Sequence, residues 1–273
     1  MAPTPDPMPL ARIIALRGHQ MFSNVLYDPI TAASRIIEAP AFAVNLVRYW
    51  HAQRRASSEF PIKLRYLYSV LGDRHGGAGT ASGHYFHQDI WAAREIYRRR
   101  PDRHVDVGSS VAGFVAHLLS FREVEYVDIR PLRTNVSDLR YRKGDITALP
   151  YRDDSVESLS ALHVTEHIGL GRYGDPIDTE GWRKAAAELR RVLSPGGHLY
   201  LSVPIGSQRL EFDSQRVFAP LTIIEALRPL VLERFAYIND DGDFAGDIEP
   251  ERFRGWFSCG LFIFTKRRAT DPR

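Results

Sequence analysis

The segment Asp106-Val-Gly108-Ser-Ser110-Val-Ala112-Gly113 begins at the end of an apolar, β-branched run and passes into a helical pattern. A tight glycine turn in that position lets backbone N–H groups approach a ligand, and the N-terminus of the following helix favours negative charge. Gly108 and Gly113 fit the outer positions of a G-x-G-x-x-G frame, with Ser110 at its middle position; such a frame is a weak signal even when intact. Asp128 closes the next β-rich run, 22 positions after Asp106, where a carboxylate can accept from both hydroxyls of a ribose. Gly144-Asp145-Ile146 follows, and Asp145, as an acceptor-only group, suits an exocyclic amine such as that of adenine. Taken singly, each acid reads equally well as a turn residue; three at successive strand ends read as a nucleoside site.

A second group of residues is suited to proton transfer and anion binding. His163-Val-Thr-Glu166-His167 spells H-x-x-E-H, an inverted zinc-protease pattern. Zinc catalysis needs two such ligands on one helix face and a third elsewhere. His163 follows a strand-like run and no third ligand is evident, so no metal site is expected. The two histidines read as catalytic or as ordering the loop Gly169-Leu-Gly-Arg172-Tyr173-Gly-Asp175-Pro-Ile-Asp178. Deprotonating a hydroxyl requires a positioned base, for which His167 and Asp175 are the candidates, while Arg172 and Tyr173 are placed to meet an acidic or phosphorylated acceptor. Upstream, His87 and Gln88 fall at helical spacing from Trp91; downstream, Arg216 follows Phe212-Asp213-Ser-Gln215. These three also belong to the candidate acceptor-binding set. Helix packing or a rigid surface turn is the plain alternative for each.

The elements that must position these residues follow from periodicity. From His104 onward, short β-rich runs alternate with helical ones: strands at 104–107, 124–129, 156–162, 198–203, 231–237 and 261–265, helices at 111–119, 180–193 and 221–227. Pro195-Gly196-Gly197 is expected to stop the helix before it. Alternation of this kind gives right-handed βαβ units, and the expected fold is α/β: a Rossmann-like, mostly parallel, seven-stranded sheet with helices on both faces. Residues 10–71 read as helical segments, one over 10–16 and one over 41–55 with Pro40 in its first turn. A helix over 85–99 carries Asp89 in its first turn. Five glycines between Gly72 and Gly83 mark a boundary, dividing the chain into an N-terminal helical extension with its linker (1–83) and a sheet domain (84–273).

The chain has 273 residues, 44% hydrophobic and 25% charged, with a single cysteine, Cys259. This excludes a disordered or collagen-like chain, an internal disulfide and a cysteine-rich zinc module. Residues 1–75 hold nine basic and five acidic residues, and the remainder 27 and 28, so the net charge of +3 is +4 in the first segment and −1 after it. That basic surplus reads as a solvated helix face or as attraction to anionic lipid; it is too modest to call for nucleic acid. No apolar run approaches ~18 residues, so no transmembrane helix is expected. Met1–Pro9, with four prolines and no basic residue, does not read as a signal peptide. A reducing, cytoplasmic setting is the expectation, with peripheral membrane contact at the basic segment; oligomeric state is not legible.

The motif series Asp106-x-Gly108, Asp128, Gly144-Asp145-Ile146, Ser155 through His167, and Leu193-Ser-Pro195-Gly-Gly197 through Pro204 resembles the class I S-adenosylmethionine-dependent methyltransferases over about residues 100–265. Tyr85-Phe-His-Gln-Asp-Ile-Trp91 and Glu166 through Asp178 resemble, more narrowly, a little-characterised methyltransferase-like family often linked to bacterial surface-glycan synthesis. The resemblance implies S-adenosylmethionine as cofactor, with Asp106, Gly108 and Ser110 around its methionine part, Asp128 on the ribose, Asp145 and Ile146 framing the adenine, and His163 bordering cofactor and acceptor. The implied activity is O-methylation of a saccharide or other small acceptor, phosphorylated or lipid-linked. Ser110 and Ala112 replace glycines usual in the family. Two other readings stand beside it: a catalytically inactive Rossmann-like scaffold in a glycan-assembly system, favoured by those replacements, and an NAD-dependent oxidoreductase, which Gly108, Gly113 and Asp128 also fit. The Asn-Pro-Pro-aromatic motif of amino-group methyltransferases is absent.

Overall fold

The computed structural model describes residues 29–56, 59–70, 78–268 and 270. The helix expected at 10–16, the start of the chain and most of the glycine-rich linker lie outside them. The chain divides into two compact units between Thr80 and Ala81.

In the first unit, helix α1 (Pro29–Arg55) is followed by a 3-10 turn at Leu64–Tyr66. The helix starts well before Ala41, so Pro40 lies inside it and not in its first turn. Proline's fixed φ is itself helical; the cost is one missing backbone bond and local crowding. Gln53 Oε1 accepts from the Ile62 N–H at 2.9 Å, tying the helix end to the strand-like segment after it.

The second unit begins with α2 (His84–Arg99), capped by Gly83 at φ +93° and closed by Arg100 in the left-handed region. Asp89 lies in the second turn of α2, buried, and not at its N-terminus. There follow β1 (His104–Val107), a π-turn at Val111–Val115 running into the short α3 (Ala116–Leu119), β2 (Val124–Asp128), β3 (Leu139–Lys143) and β4 (Val156–Leu162). After a 3-10 turn at Thr165–His167 come α4 (Gly181–Val192), β5 (Leu193–Ile205), the hairpin β6 (Arg209–Glu211) and β7 (Gln215–Val217), α5 (Pro220–Ala226), β8 (Val231–Ile238), β9 (Phe244–Asp247) and β10 (Ser258–Thr265).

Eight strands form one sheet in the order β3-β2-β1-β4-β5-β10-β8-β9, one more than expected. The β3-β2-β1-β4-β5 block is parallel, and β10 runs antiparallel between β5 and β8. This is the expected Rossmann-like α/β sheet with an antiparallel far edge. Pro195-Gly196-Gly197 sits inside β5: the strand starts at Leu193 directly after α4, and the Gly196 N–H pairs with the Lys266 carbonyl at 2.7 Å.

Alternation across the strands supplies two cores, one on each face. Leu199, Leu201, Phe262 and Phe264 face one side, against Ala185, Leu189 and Val192 of α4. Tyr200, Leu261 and Ile263 face the other, against Ala92 and Ile96 of α2. At ~1.5–3 kcal/mol for each large side chain taken from water, these layers are the main force holding the sheet in place. Among the described residues no helix is long and apolar enough to cross a membrane.

The chain leaves β1 toward β2 on one side and returns through β4 on the other, so the sheet's switch point lies between β1 and β4, where ligands bind in such folds. His104 joins the two strands: its ring lies 2.8 Å from Ser158 Oγ and 2.9 Å from Ser160 Oγ. Burial pushes its pKa down to about 3, with Arg122 adding to the effect, so the ring is neutral and one hydroxyl donates to it while the other accepts.

Candidate functional site

A cleft of about 550 Å³ opens at the carboxyl ends of β1, β2, β3 and β4. Gly108, Asp128, Asp145, Ile146, His163, His167, Tyr173 and Asp175 all line it. Of the residues singled out from sequence, Asp106, Ser110, His87, Gln88, Arg172 and Arg216 do not.

The nucleoside side is built by strand ends. Gly108 turns the chain out of β1 at φ +71°, and its N–H donates to the Val127 carbonyl at 2.9 Å. The left-handed backbone favours glycine, and a Cβ there would sit tightly against Val164 Cγ1 at 3.1 Å. Asp106 holds this turn from beneath and is fully buried. Its carboxylate accepts from the Ser109 N–H at 3.0 Å, from Ser109 Oγ at 2.6 Å and from Ser160 Oγ. Burial raises its pKa to about 6, against the pull of those donors. Asp106 therefore holds the Gly108 turn in place and does not itself line the cleft. Ser110 also turns inward: its Oγ caps the helical turn by accepting from the Gly113 N–H at 3.2 Å, so the hydroxyl that replaces the frame's middle glycine does not crowd the cleft.

Asp128 is buried but borders the cleft, and its oxygens are heavily used. Oδ2 accepts from Tyr126 Oη at 2.9 Å and Arg130 Nη2 at 2.7 Å; Oδ1 accepts from the Arg130 N–H at 2.8 Å and Nε at 3.0 Å. Burial would raise this carboxyl, but the Arg130 hydrogen bonds and charge outweigh it and hold the pKa below the usual carboxylate range. Four donors fill the carboxylate's usual four lone-pair directions. Two belong to the Arg130 side chain, which is half exposed and packs over the Tyr173 ring at 4.7 Å. Asp145 is exposed; its Oδ1 accepts from the Thr147 N–H and hydroxyl, both at 2.8 Å. Ile146 beside it is buried and gives the cleft an apolar wall.

The opposite side is built by the turn after β4 and the loop above it. His163 directly follows β4 with φ +54°, and its Nδ1 lies 2.6 Å from Glu166 Oε1. Burial pulls its pKa down, but the neighbouring Cys259 sulfur and the Glu166 carboxylate together raise it well above the ordinary histidine value. His167 Nδ1 lies 2.7 Å from the Ser214 carbonyl and so carries the hydrogen there, which leaves Nε2 as the basic nitrogen. Burial lowers the His167 pKa, the Glu166 carboxylate opposing it, so this ring is neutral at pH 7. Asp175 is not an open base. One of its oxygens accepts from the Gly169 N–H at 2.7 Å and the Gly171 N–H at 3.4 Å, the other from the Tyr173 N–H at 3.2 Å. It shapes the loop, which is closed at its neck by the Asp178 N–H donating to the Gly169 carbonyl at 2.9 Å. Gly169 has φ +80°, and a Cβ there would fall 1.9 Å from the Asp178 oxygen.

The remaining residues serve the scaffold. Gln88 is buried and accepts from Ser202 Oγ at 2.6 Å; His87 lies against the Phe244 ring at 6.3 Å. Arg172 donates to the Ser214 carbonyl at 3.0 Å, and Arg216 to the Ile168 carbonyl at 2.7 Å and the Glu166 carbonyl at 3.3 Å. The H-x-x-E-H stretch does not form a zinc-protease helix: it is a strand end followed by a single 3-10 turn. Sequence reasoning missed Arg130, Tyr126, Glu166 and Ser214. The signals for the first three were local: an arginine two positions after Asp128, a tyrosine two before it, and a glutamate three after His163. Nothing in the sequence marked Ser214 as the carbonyl that fixes His167.

A family model described as "Caenorhabditis protein of unknown function, DUF268" matches residues 148–246, the stretch that carries β4, the cleft loop, α4 and β5. No curated protein matches the chain. Among solved structures, the N-methyltransferase NodS from Bradyrhizobium japonicum, in complex with S-adenosylhomocysteine, is 14% identical over 68% of this chain and 89% of its own, with a TM-score of 0.46. A TehB-like SAM-dependent methyltransferase from Corynebacterium glutamicum is 15% identical over 84% of this chain and 100% of its own, with a TM-score of 0.45. The cyclase SpnF is 13% identical over 66% of this chain and 81% of its own, with a TM-score of 0.48. The three names span two reaction types, and the strand order and cleft position, not these likenesses, define the fold of this chain.

Proposed function

We propose that the chain is an S-adenosylmethionine-dependent methyltransferase acting on the hydroxyl of a small acceptor, a saccharide or a related polyol. The observation that carries this reading is the placement of Gly108, Asp128, Asp145 and His167 around one cleft at the β1–β4 switch point. The residues fit the cofactor's chemistry: Gly108 leaves bare backbone at the cleft wall, Asp128 offers a carboxylate to a diol, and Asp145 with Ile146 pairs an acceptor with an apolar wall. For the diol to bind, the Arg130 side chain must release Asp128. When bound, S-adenosylmethionine supplies a methyl carbon activated by a sulfonium. The chain's own part is to align the acceptor oxygen and take its proton. His167 accepts that proton at Nε2, with its ring fixed through Nδ1 by the Ser214 carbonyl. Tyr173, exposed at the cleft edge and flanked by Arg130 at 4.7 Å and Arg172 at 5.2 Å, suits a sugar face carrying a phosphate.

The test is transfer of label from methyl-labelled S-adenosylmethionine to a panel of nucleotide sugars, lipid-linked sugars and free glycosides. Label in one class, lost in His167→Asn, supports the reading. A second reading, a non-catalytic Rossmann-like binding module, is favoured by the Arg130 guanidinium across Asp128; cofactor binding without transfer to any acceptor supports it.

A further inference from the structure

At His163, three side chains from distant parts of the sequence converge. His84 opens α2, His163 directly follows β4 and Cys259 lies near the start of β10. One donor atom from each lies within 4.8 Å of the other two. The His163 side chain is 6% exposed, and its buried Nε2 has no partner at ordinary hydrogen-bond distance; the Cys259 thiol beside it is 3.7 Å from Gln88 Oε1. An imidazole nitrogen left bare in the interior normally has a partner. Its other nitrogen is held by the Glu166 carboxylate at 2.6 Å, the outer-shell arrangement that fixes the tautomer of a metal-binding histidine and raises its basicity. The His84 ring packs against the Phe257 ring, with centroids 5.5 Å apart. The His84 and His163 rings lie nearly parallel, 6° apart in plane with centroids at 5.6 Å.

We propose that His84, His163 and Cys259 form a binding site for a zinc-class divalent cation, fastening the start of α2 to β4 and β10. Two imidazoles and one thiolate are the donor set of a borderline-soft ion, not of magnesium or calcium. Metal–ligand bonds of about 2.0–2.3 Å place tetrahedral donors roughly 3.5 Å apart, so the three atoms need to draw in by roughly 1 Å. His84 is partly exposed and gives the ion an entry path. Three protein ligands leave one coordination position open. His163 also lines the cleft, whereas His84 and Cys259 do not; the metal content and the cobalt spectrum are read without any cofactor, so their outcome is separate from that of the cofactor reading. Glu166 is a positioning residue here, acting on the ion through His163.

The experiment uses the full chain without a histidine tag, stripped with a chelator and then dialysed against zinc or cobalt(II). The expected result is one zinc per chain, a sulfur-to-cobalt charge-transfer band in the cobalt form, and loss of stoichiometric zinc in His84→Asn and in Cys259→Ala. Glu166→Gln keeps all three ligands and is expected to weaken zinc binding by ~10–100-fold. Far-UV circular dichroism checks that each variant is folded, and the cobalt spectrum of the unaltered chain needs no variant. Zinc no higher than in a buffer blank, a cobalt form without the sulfur band, or unchanged zinc in folded His84→Asn and Cys259→Ala would each overturn the proposal, leaving a buried histidine–cysteine pair.

Discussion

On the β1–β2–β3 side of the cleft, Gly108, Asp128 and Asp145 each lie within two positions of a strand end. On the β4 side, His163, His167 and Asp175 are placed by a positive-φ residue, a single 3-10 turn and a ten-residue loop. The first group is positioned by sheet register and by bonds to residues two or three positions away. In the second, His163 and Asp175 are held locally, but His167 and the turn around it depend on partners far away in sequence: Ser214 orients His167 across 47 positions, and Arg216 holds the Glu166 and Ile168 carbonyls across 50 and 48. A strand end fixes where a side chain stands, but hydrogen bonds, local ones at Asp175 and a long-range one at His167, decide whether its polar atoms are available. Asp175 and His167 illustrate this. Both line the cleft, yet backbone N–H groups occupy the carboxylate while a single carbonyl leaves the imidazole one basic nitrogen.

The largest expected effect is at His167. If it is the base, His167→Asn lowers kcat by ~10²–10⁴-fold and leaves cofactor affinity near its original value, as steady-state kinetics and calorimetry would show. Because burial sets its pKa below the ordinary 6.5, the acid limb of kcat/KM falls below that pH; a limb above 7 would remove His167 from this role.

The two sides meet at His104, which bridges β1 to the Ser158 and Ser160 hydroxyls of β4. Its folded pKa of about 3 lies below the unfolded value of 6.5. As pH falls through 6.5 the unfolded chain takes up this proton first, so the stability tied to a neutral His104 is present above 6.5 and is lost toward 3. Between pH 6.5 and 4 the loss is roughly 3 kcal/mol. Denaturant unfolding of the wild type and of His104→Gln at both pH values should therefore converge on acidification, and parallel curves would contradict it.

A smaller effect is expected in the loop. Gly169→Ala places a Cβ against the Asp178 carbonyl in a left-handed backbone, at a cost of ~1–3 kcal/mol. Faster proteolysis within 169–178 is the check, with the β1–β2–β3 side unaffected. The smallest concerns Arg130. Freeing Asp128 from a half-exposed guanidinium removes a competitor worth up to ~1 kcal/mol, so Arg130→Ala should tighten nucleoside binding by about fivefold. Weaker binding would mean that Arg130 itself contacts the ligand.

The strand ends that build the nucleoside side were legible because apolar, β-branched runs such as Val105–Val107 and Val124–Val127 announce themselves. β3 was not: Leu-Arg-Tyr-Arg-Lys is an edge strand with one buried residue, and its charges mask the alternation. β9 and the β6–β7 hairpin, short and largely exposed, carry as little signal. Pro40 and Pro195-Gly196-Gly197 misled in the same way, since a helix and a strand each absorbed residues that normally end them. Convergence of His84, His163 and Cys259 is a matter of topology: β10 folds back beside β5, bringing Cys259 to a position 96 residues from His163 in sequence.

The most direct test of the nucleoside site is calorimetric titration of the chain with S-adenosylmethionine, S-adenosylhomocysteine and NAD, repeated with Asp128→Ala. Saturable binding of the two sulfur nucleosides, absent for NAD and lost in the variant, is the predicted result. No binding of either sulfur nucleoside at millimolar concentration, or equal binding by Asp128→Ala, would contradict the account.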